Sequence, residues 1–193
     1  MLVHCTFKYA TKLTSCALAF AADLSPQNLV QLLATNPTTN VLIALSSSQT
    51  PLTTLAAEFG LALPPPNTPL VSHFPRRPEP HTVLEIPVTR KAHPLFRKGI
   101  SPIAYEGVAF ALGDNPRGFS ILNAPAESFS SDTKSDDSAD SLYEVSEKGG
   151  EGLWAGSKMS VASGFQTSTG ARVGWVGSVK AFSNEFASKT TSR

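Results

Sequence analysis

The apolar positions of this chain change period several times, and each change marks an element. Val41 to Leu45 is an unbroken apolar run without polar alternation, the pattern of a strand covered on both faces as in a parallel sheet. Ser46 to Gln49 follow as a polar turn. Thr50 then suits an N-cap, and Pro51 suits the first helical position, where a missing N–H costs nothing. Leu52, Leu55, Ala56 and Phe59 recur at helical spacing, and Gly60 supplies a left-handed stop. The stretch Thr39 to Gly60 therefore predicts strand, turn and helix, half of a βαβ unit against which the rest should pack.

The same rules divide the remainder. Ser25 caps and Pro26 opens a short helix over Ser25 to Ala34, with Leu29, Val30, Leu32 and Leu33 at helical spacing and Asn36-Pro37 ending it. Pro64 to Pro66 is a stiff connector. Short strands are predicted at Leu70 to Phe74, His81 to Pro87, Tyr105 to Leu112 and around Phe119, Ile121 and Leu122, with a helical turn at Pro94 to Phe96. Ser128 to Gly152 is rich in Ser, Asp, Lys and Gly and is read as a long exposed loop, mostly disordered. Leu153 to Ala155 and Met159 to Phe165 return to strand character. Thr167 to Gly170 is a turn, and Arg172 to Val176 is the partner strand of a hairpin. Phe182 and Phe186, four apart, predict a short terminal helix facing the sheet.

Residues 1 to 23 show no clear strand pattern. Lys8 and Lys12 precede an apolar stretch, Leu13 to Ala22, and Ala19-Phe20-Ala21 has the small-x-small form of a cleavage site, so the segment resembles a signal peptide. The alternative is a short buried helix or an ill-folded terminus.

Composition narrows the class. With 193 residues, 41% of them apolar, the chain is long enough for one medium domain with a core. Its net charge of +1 predicts no nucleic-acid surface. Cys5 and Cys16 are its two cysteines, which is neither a disulfide framework nor a zinc site. No apolar run reaches the roughly twenty residues needed to span a bilayer.

Candidate chemistry is sparse. A nucleophile elbow requires Ser or Cys flanked by glycines between a strand and a helix. Ser46, Ser47 and Ser48 occupy such a turn without flanking Gly, and no His-Asp pair is placed to activate them. The plain reading is a solvated turn bonding its own backbone. An anion, flavin or nucleotide could occupy the Ser46 to Thr50 turn, at the helix start, yet GxGxxG and the P-loop sequence are absent. His4, His73, His81 and His93 are scattered, none with a second ligand at metal spacing. Asp136, Asp137 and Asp140 lie on the low-complexity loop. Arg76, Arg77, Arg90, Lys91, Arg97 and Lys98 read as surface. The one sequon-like triplet is blocked, because Pro37 follows Asn36. No catalytic, cofactor-binding or metal residue is assigned, and no cofactor is expected.

The order of segments resembles the DDOST (Wbp-type) subunit of the oligosaccharyltransferase complex. Leu24 to Val30 resembles the family's LTPxxLVxF helix start, Asn40 to Ser47 its GNxLLAxSS strand and turn, and Leu55 to Leu61 its ELxxEFGI helix. Val71 to Phe74 stands at its apolar-x-His-aromatic strand end, with Ser72 for the usual Asp. Ile103 to Val108 resembles PILFRGVG. Leu112 to Ser130 resembles xxxNPLxxxILxAxxxxYS, with Phe129 for the tyrosine. Ala171-Arg172 and Gly177 to Phe186 resemble ARxxxxGSxxxFSDxxF, with Asn184 for Asp. These segments run in unbroken order from Leu24 to Phe186.

That resemblance implies an α/β, flavodoxin-like sheet with flanking helices, related to class I glutamine amidotransferases but without their catalytic Cys. It implies a non-catalytic subunit, held with the other oligosaccharyltransferase subunits, including the catalytic one, on the luminal face of the endoplasmic reticulum membrane. N-linked glycosylation of nascent proteins would be its process. Residues 1 to 23 do not resemble the family's opening βα units, and its membrane-proximal domain and C-terminal transmembrane helix are absent, so the chain is expected to be a fragment with an incomplete sheet. The expected organisation is an atypical N-terminus at 1–23, an α/β domain in two parts at 24–127 and 153–188, a disordered loop at 128–152 and a flexible tail at 189–193. An enzyme or ligand-binding module using the Ser46 to Thr50 turn is the competing reading.

Overall fold

The structure, a computed structural model, describes residues 2–7, 13–19, 25–48, 53–72, 81–88, 101–131 and 153–183. The helix read from the sequence at Ser25 is present as α1 (Pro26–Thr35). Ser25 is its N-cap, with Oγ accepting from the Asn28 amide at 3.2 Å. The amide of Asn36 donates to the Leu32 carbonyl as the chain leaves the helix. Leu29 and Leu33 are buried, whereas Val30 points outward at 46% exposure. One stripe therefore faces the core, as the 3.6-residue period requires.

β3 (Thr39–Ala44) lies inside the main sheet. That sheet has eight strands. Seven of them run in the order β2 (Leu13–Ala19), β1 (Leu2–Phe7), β3, β12 (Arg172–Val176), β11 (Met159–Gln166), β7 (Phe110–Leu112) and β4 (Leu61–Ala62). The eighth, β8 (Gly118–Asn123), also pairs with β11. β3 and β12 run parallel, with Val41 opposite Val173 and Ile43 opposite Trp175. The other pairings of this sheet among the described strands are antiparallel. The class is thus mixed α/β. The central strand has one parallel neighbour, but these pairings do not make a parallel, flavodoxin-like order.

Two helices pack on one face of the sheet. Leu29 and Leu33 of α1 join Leu55, Ala56 and Phe59, from α2 (Thr53–Glu58) and its exit, against Val41, Ile43, Val173 and Trp175. Phe59 stands edge-on to Phe165 with centroids 5.0 Å apart, and 5.5 Å from Trp175. A second core forms around Leu70, Leu84, Ile86, Tyr105, Leu122, Met159 and Val161. Phe110 belongs to the first core and its neighbours Ala109 and Ala111 to the second. Because side chains alternate along a strand, the two cores lie on opposite faces. Two small ladders complete the described strands: β5 (Leu84–Ile86) with β6 (Ile103–Tyr105), and β9 (Phe129–Ser131) with β10 (Leu153–Ala155).

Several expectations are corrected. Residues 2–7 and 13–19 form a hairpin, not a strandless segment or a helix, and β1 pairs along one edge of β3. The βαβ unit also sits one helix earlier. β2 and β3 point the same way with β1 between them, and α1 lies in the connection. The helix after β3 leads instead to β4 at the far end of the sheet, because the C-terminal hairpin β11–β12 occupies the place beside β3.

The predicted strand Tyr105 to Leu112 is two strands broken at Glu106 to Ala109, each half serving a different ladder. Of the predicted strand Leu70 to Phe74, the described residues Leu70 to Ser72 form a single bridge, Val71 with Phe129, and His73 and Phe74 lie outside the described residues. Phe129 in turn begins a strand inside the segment read as loop. Lys180–Phe182 is a 3₁₀ turn that leaves Phe182 49% exposed, so this ring does not face the core. Phe186, Pro94 to Phe96 and 132–152 lie outside the described residues.

Candidate functional site

The turn after β3 begins as a continuation of the sheet. The Leu45 amide donates to the Val176 carbonyl at 2.8 Å, and the Val179 amide donates to the Leu45 carbonyl at 2.9 Å. Ser46 and Ser48 share a hydrogen bond between hydroxyls 3.3 Å apart. The Asn67 amide donates to the Ser47 carbonyl at 2.6 Å. Ser46 and Ser48 are exposed and Ser47 is half-buried. The turn thus bonds its own hydroxyls and the connector behind it. Thr50 lies outside the described residues, as do His73, His93, Asp136, Asp137, Asp140, Arg76, Arg77, Arg90, Lys91, Arg97 and Lys98. Among the described residues α2 comprises Thr53–Glu58, and the residues leading into it, 49–52, lie outside them.

Beside this turn the structure brings together, at one corner, two of the family-like segments, Ile103 to Val108 and Gly177 to Phe186, whose meeting no local pattern predicted. Glu106 and Gly107, leaving β6, meet Gly177 and Ser178, leaving β12. The Val108 amide donates to the Gly177 carbonyl at 2.8 Å, and the Gly177 amide donates to the Val161 carbonyl at 2.9 Å. Ser178 is buried, its hydroxyl donating to the Glu106 carbonyl at 2.6 Å and accepting from the Ala181 amide at 3.1 Å. Lys180 pairs with the Glu106 carboxylate at the surface. Tyr105, buried behind them, donates its phenol to the Val108 carbonyl at 2.5 Å. Burial pushes that phenol well above the ordinary tyrosine range, because a phenolate would lose its hydration.

Both glycines are forced by proximity. A Cβ on Gly107 would lie 2.8 Å from Ser178 Cβ and closer still to the Gly177 carbonyl oxygen. One on Gly177 would strike the Val108 carbonyl oxygen and the Tyr105 hydroxyl.

Other segments that are distant in sequence also meet in pairs. Asn115 Nδ2 donates to the Phe59 carbonyl at 3.1 Å, and the Gly113 amide donates to the Gly60 carbonyl at 2.8 Å. Gly60 has φ of +75°, the left-handed stop expected of it. The amides of Val71 and Phe129 each donate to the other's carbonyl, and Ser130 Oγ donates to the Thr68 carbonyl at 2.9 Å. Thr169 Oγ1 donates to the Leu33 carbonyl at 3.4 Å, joining the last hairpin to α1. In these segments the polar groups and tight glycines serve mutual backbone contact. Among the described residues no group of three or more His, Cys, Asp or Glu is placed to hold a metal ion, and no helix is long and apolar enough to cross a membrane.

A mixed sheet whose polar and glycine positions tie strand ends to one another defines the class as a mixed α/β domain. The family model for the OST48 N-terminal domain matches residues 11–193, so the chain belongs to that family. The match reaches further N-terminal than the resemblance read from Leu24 and takes in β2. Comparison with curated proteins finds no match. Among solved structures the chain is similar to one titled "mmIFT52 N-terminal domain", with a TM-score of 0.51 and 11% identity over 89% of this chain. This chain spans 65% of that domain's length, and the likeness is one of fold alone.

Proposed function

We propose that this chain is a non-catalytic, structural part of an oligosaccharyltransferase subunit and acts through its surfaces in N-linked glycosylation at the endoplasmic reticulum. The observation that carries this reading is the match of the OST48 N-terminal domain model to residues 11–193. The geometry supports it. Segments resembling that family end in one another's backbones, as Gly107 does against Gly177 and Asn115 against Phe59. On this reading the domain is part of a longer, membrane-anchored subunit on the luminal face.

The test is affinity capture of the full chain from microsomes of cells that express it, with depletion and re-expression scored on a glycoprotein reporter. Recovery of the catalytic transferase subunit and restored reporter glycosylation are the expected results. An assembled transferase complex that excludes the chain would overturn the proposal. So would saturable binding of a flavin or nucleotide abolished by Ser47→Ala with Ser48→Ala.

A further inference from the structure

The chain's two cysteines, Cys5 and Cys16, are Cα partners in the β1–β2 hairpin. The register is continuous from Leu2 opposite Ala19 to Thr6 opposite Ser15, and its irregularity falls later, between Thr6 and Phe7. The cysteine pair therefore lies in the regular part of the ladder. Directly opposed residues of an antiparallel pair share one face, with Cα atoms about 4.5 or about 5.5 Å apart depending on the hydrogen-bond pattern. Both separations fall within the roughly 4.4–6.8 Å over which disulfides close. On its other side Cys5 stands opposite Asn40 of β3, next to Val41 in the helix-covered core.

We propose that Cys5 and Cys16 are a modification site, joined as a cross-strand disulfide. The bond fastens the hairpin that covers the outer edge of β3. The reaction needs a disulfide oxidant, such as oxidised glutathione or an oxidised dithiol protein. One cysteine thiolate attacks that disulfide and releases a reduced thiol. The second thiolate then attacks the mixed disulfide, releases the other reduced thiol and leaves the Cys5–Cys16 bond. Two electrons and two protons pass to the oxidant. The pairing rests on the hairpin register. Its formation in cells rests on the luminal location proposed above, since thiols stay reduced in the cytosol.

The test uses the full chain, purified reduced and then equilibrated with a glutathione buffer at a poise of about −190 mV, near that of the endoplasmic reticulum. The expected product is monomeric, about 2 Da lighter, unreactive to maleimide, and yields one non-reducing peptide containing both cysteines. Cys5→Ser and Cys16→Ser should each leave one alkylatable thiol. Dithiothreitol should lower the Tm of the oxidised protein by about 6 °C or more and leave the double variant unmoved. Two free thiols after equilibration, or intermolecular dimers as the main product, would overturn the proposal. So would intact mass of cellular material showing that the N-terminus is removed past Cys16. If the purified protein forms the bond but cellular protein with an intact N-terminus is reduced, the pair stands and the luminal reading falls.

Discussion

The amide of Val108 reaches the carbonyl of Gly177 at 2.8 Å, and nothing larger than glycine fits at that second position. A methyl group there would strike backbone and a buried hydroxyl, neither of which can swing away. Gly177→Ala should therefore cost about 3 kcal/mol or more, the upper range of overpacking. Gly118→Ala is the control, since its added carbon would meet atoms no nearer than 3.5 Å. The midpoint of urea unfolding should fall sharply for the first and stay within about 0.5 kcal/mol of the parent for the second. Equal midpoints would refute the close approach.

Tyr105 gives the corner a pH signature. Its phenol is held neutral by burial, so its folded-state pKa stands above the ordinary 10.0 while the unfolded chain ionises near that value. The tyrosine's contribution is fully present below pH 10 and declines as pH rises past it, by up to about 1.4 kcal/mol per pH unit. Tyr105→Phe should cost about 1 kcal/mol at neutral pH by removing the bond to Val108. The gap between the two proteins should then narrow above pH 10. Stability measured from pH 8 to 11 on both proteins checks this, and a gap that widens with pH would be the wrong sign.

Ser178 and Lys180 both contact Glu106, and they should differ in consequence. Ser178 is buried and its hydroxyl makes two backbone bonds, so Ser178→Ala should cost about 1–3 kcal/mol. The Lys180 side chain is 61% exposed, and water and salt screen its ion pair. Lys180→Met should change stability by less than about 0.5 kcal/mol. Thermal unfolding of the two variants at low and high salt would separate the contributions.

Asn115 holds the exit of α2 from a distance. It donates to the Phe59 carbonyl and accepts from the Arg117 amide, each at 3.1 Å. Asn115→Ala should destabilise by about 1–2 kcal/mol. Asn115→Asp should not restore the loss, because a carboxylate keeps the Arg117 bond but faces the Phe59 carbonyl with negative charge. Denaturant midpoints near pH 7 are the measurement, and an aspartate variant as stable as the parent would contradict the assignment.

The local chemistry of α1 was legible in the sequence, from the Ser25 cap to the Asn36-Pro37 stop, because each signal acts within a few residues. The left-handed stop at Gly60, the turn at Thr167 to Gly170 and the pairing of β11 with β12 were legible for the same reason. Family membership was also readable, since the order of segments survives without knowledge of contacts. The N-terminal hairpin was not. Residues 2–7 and 13–19 carry weak patterns of their own, and the free edge of β3 supplies the partner that makes them strands.

The residue string by itself determined the Ser25 cap, the stops at Asn36-Pro37 and Gly60, and the covered central strand, and it carries no recognisable catalytic motif. Tertiary structure alone decided which strand lies beside β3, that Gly107 must meet Gly177, and that Cys5 and Cys16 are register partners in one ladder. The reason is range. Capping and turn preferences act over three or four residues and are written locally. Strand order depends on edges and close approaches between positions far apart in sequence, such as Val41 and Val173 or Glu106 and Ser178, where no local preference reaches.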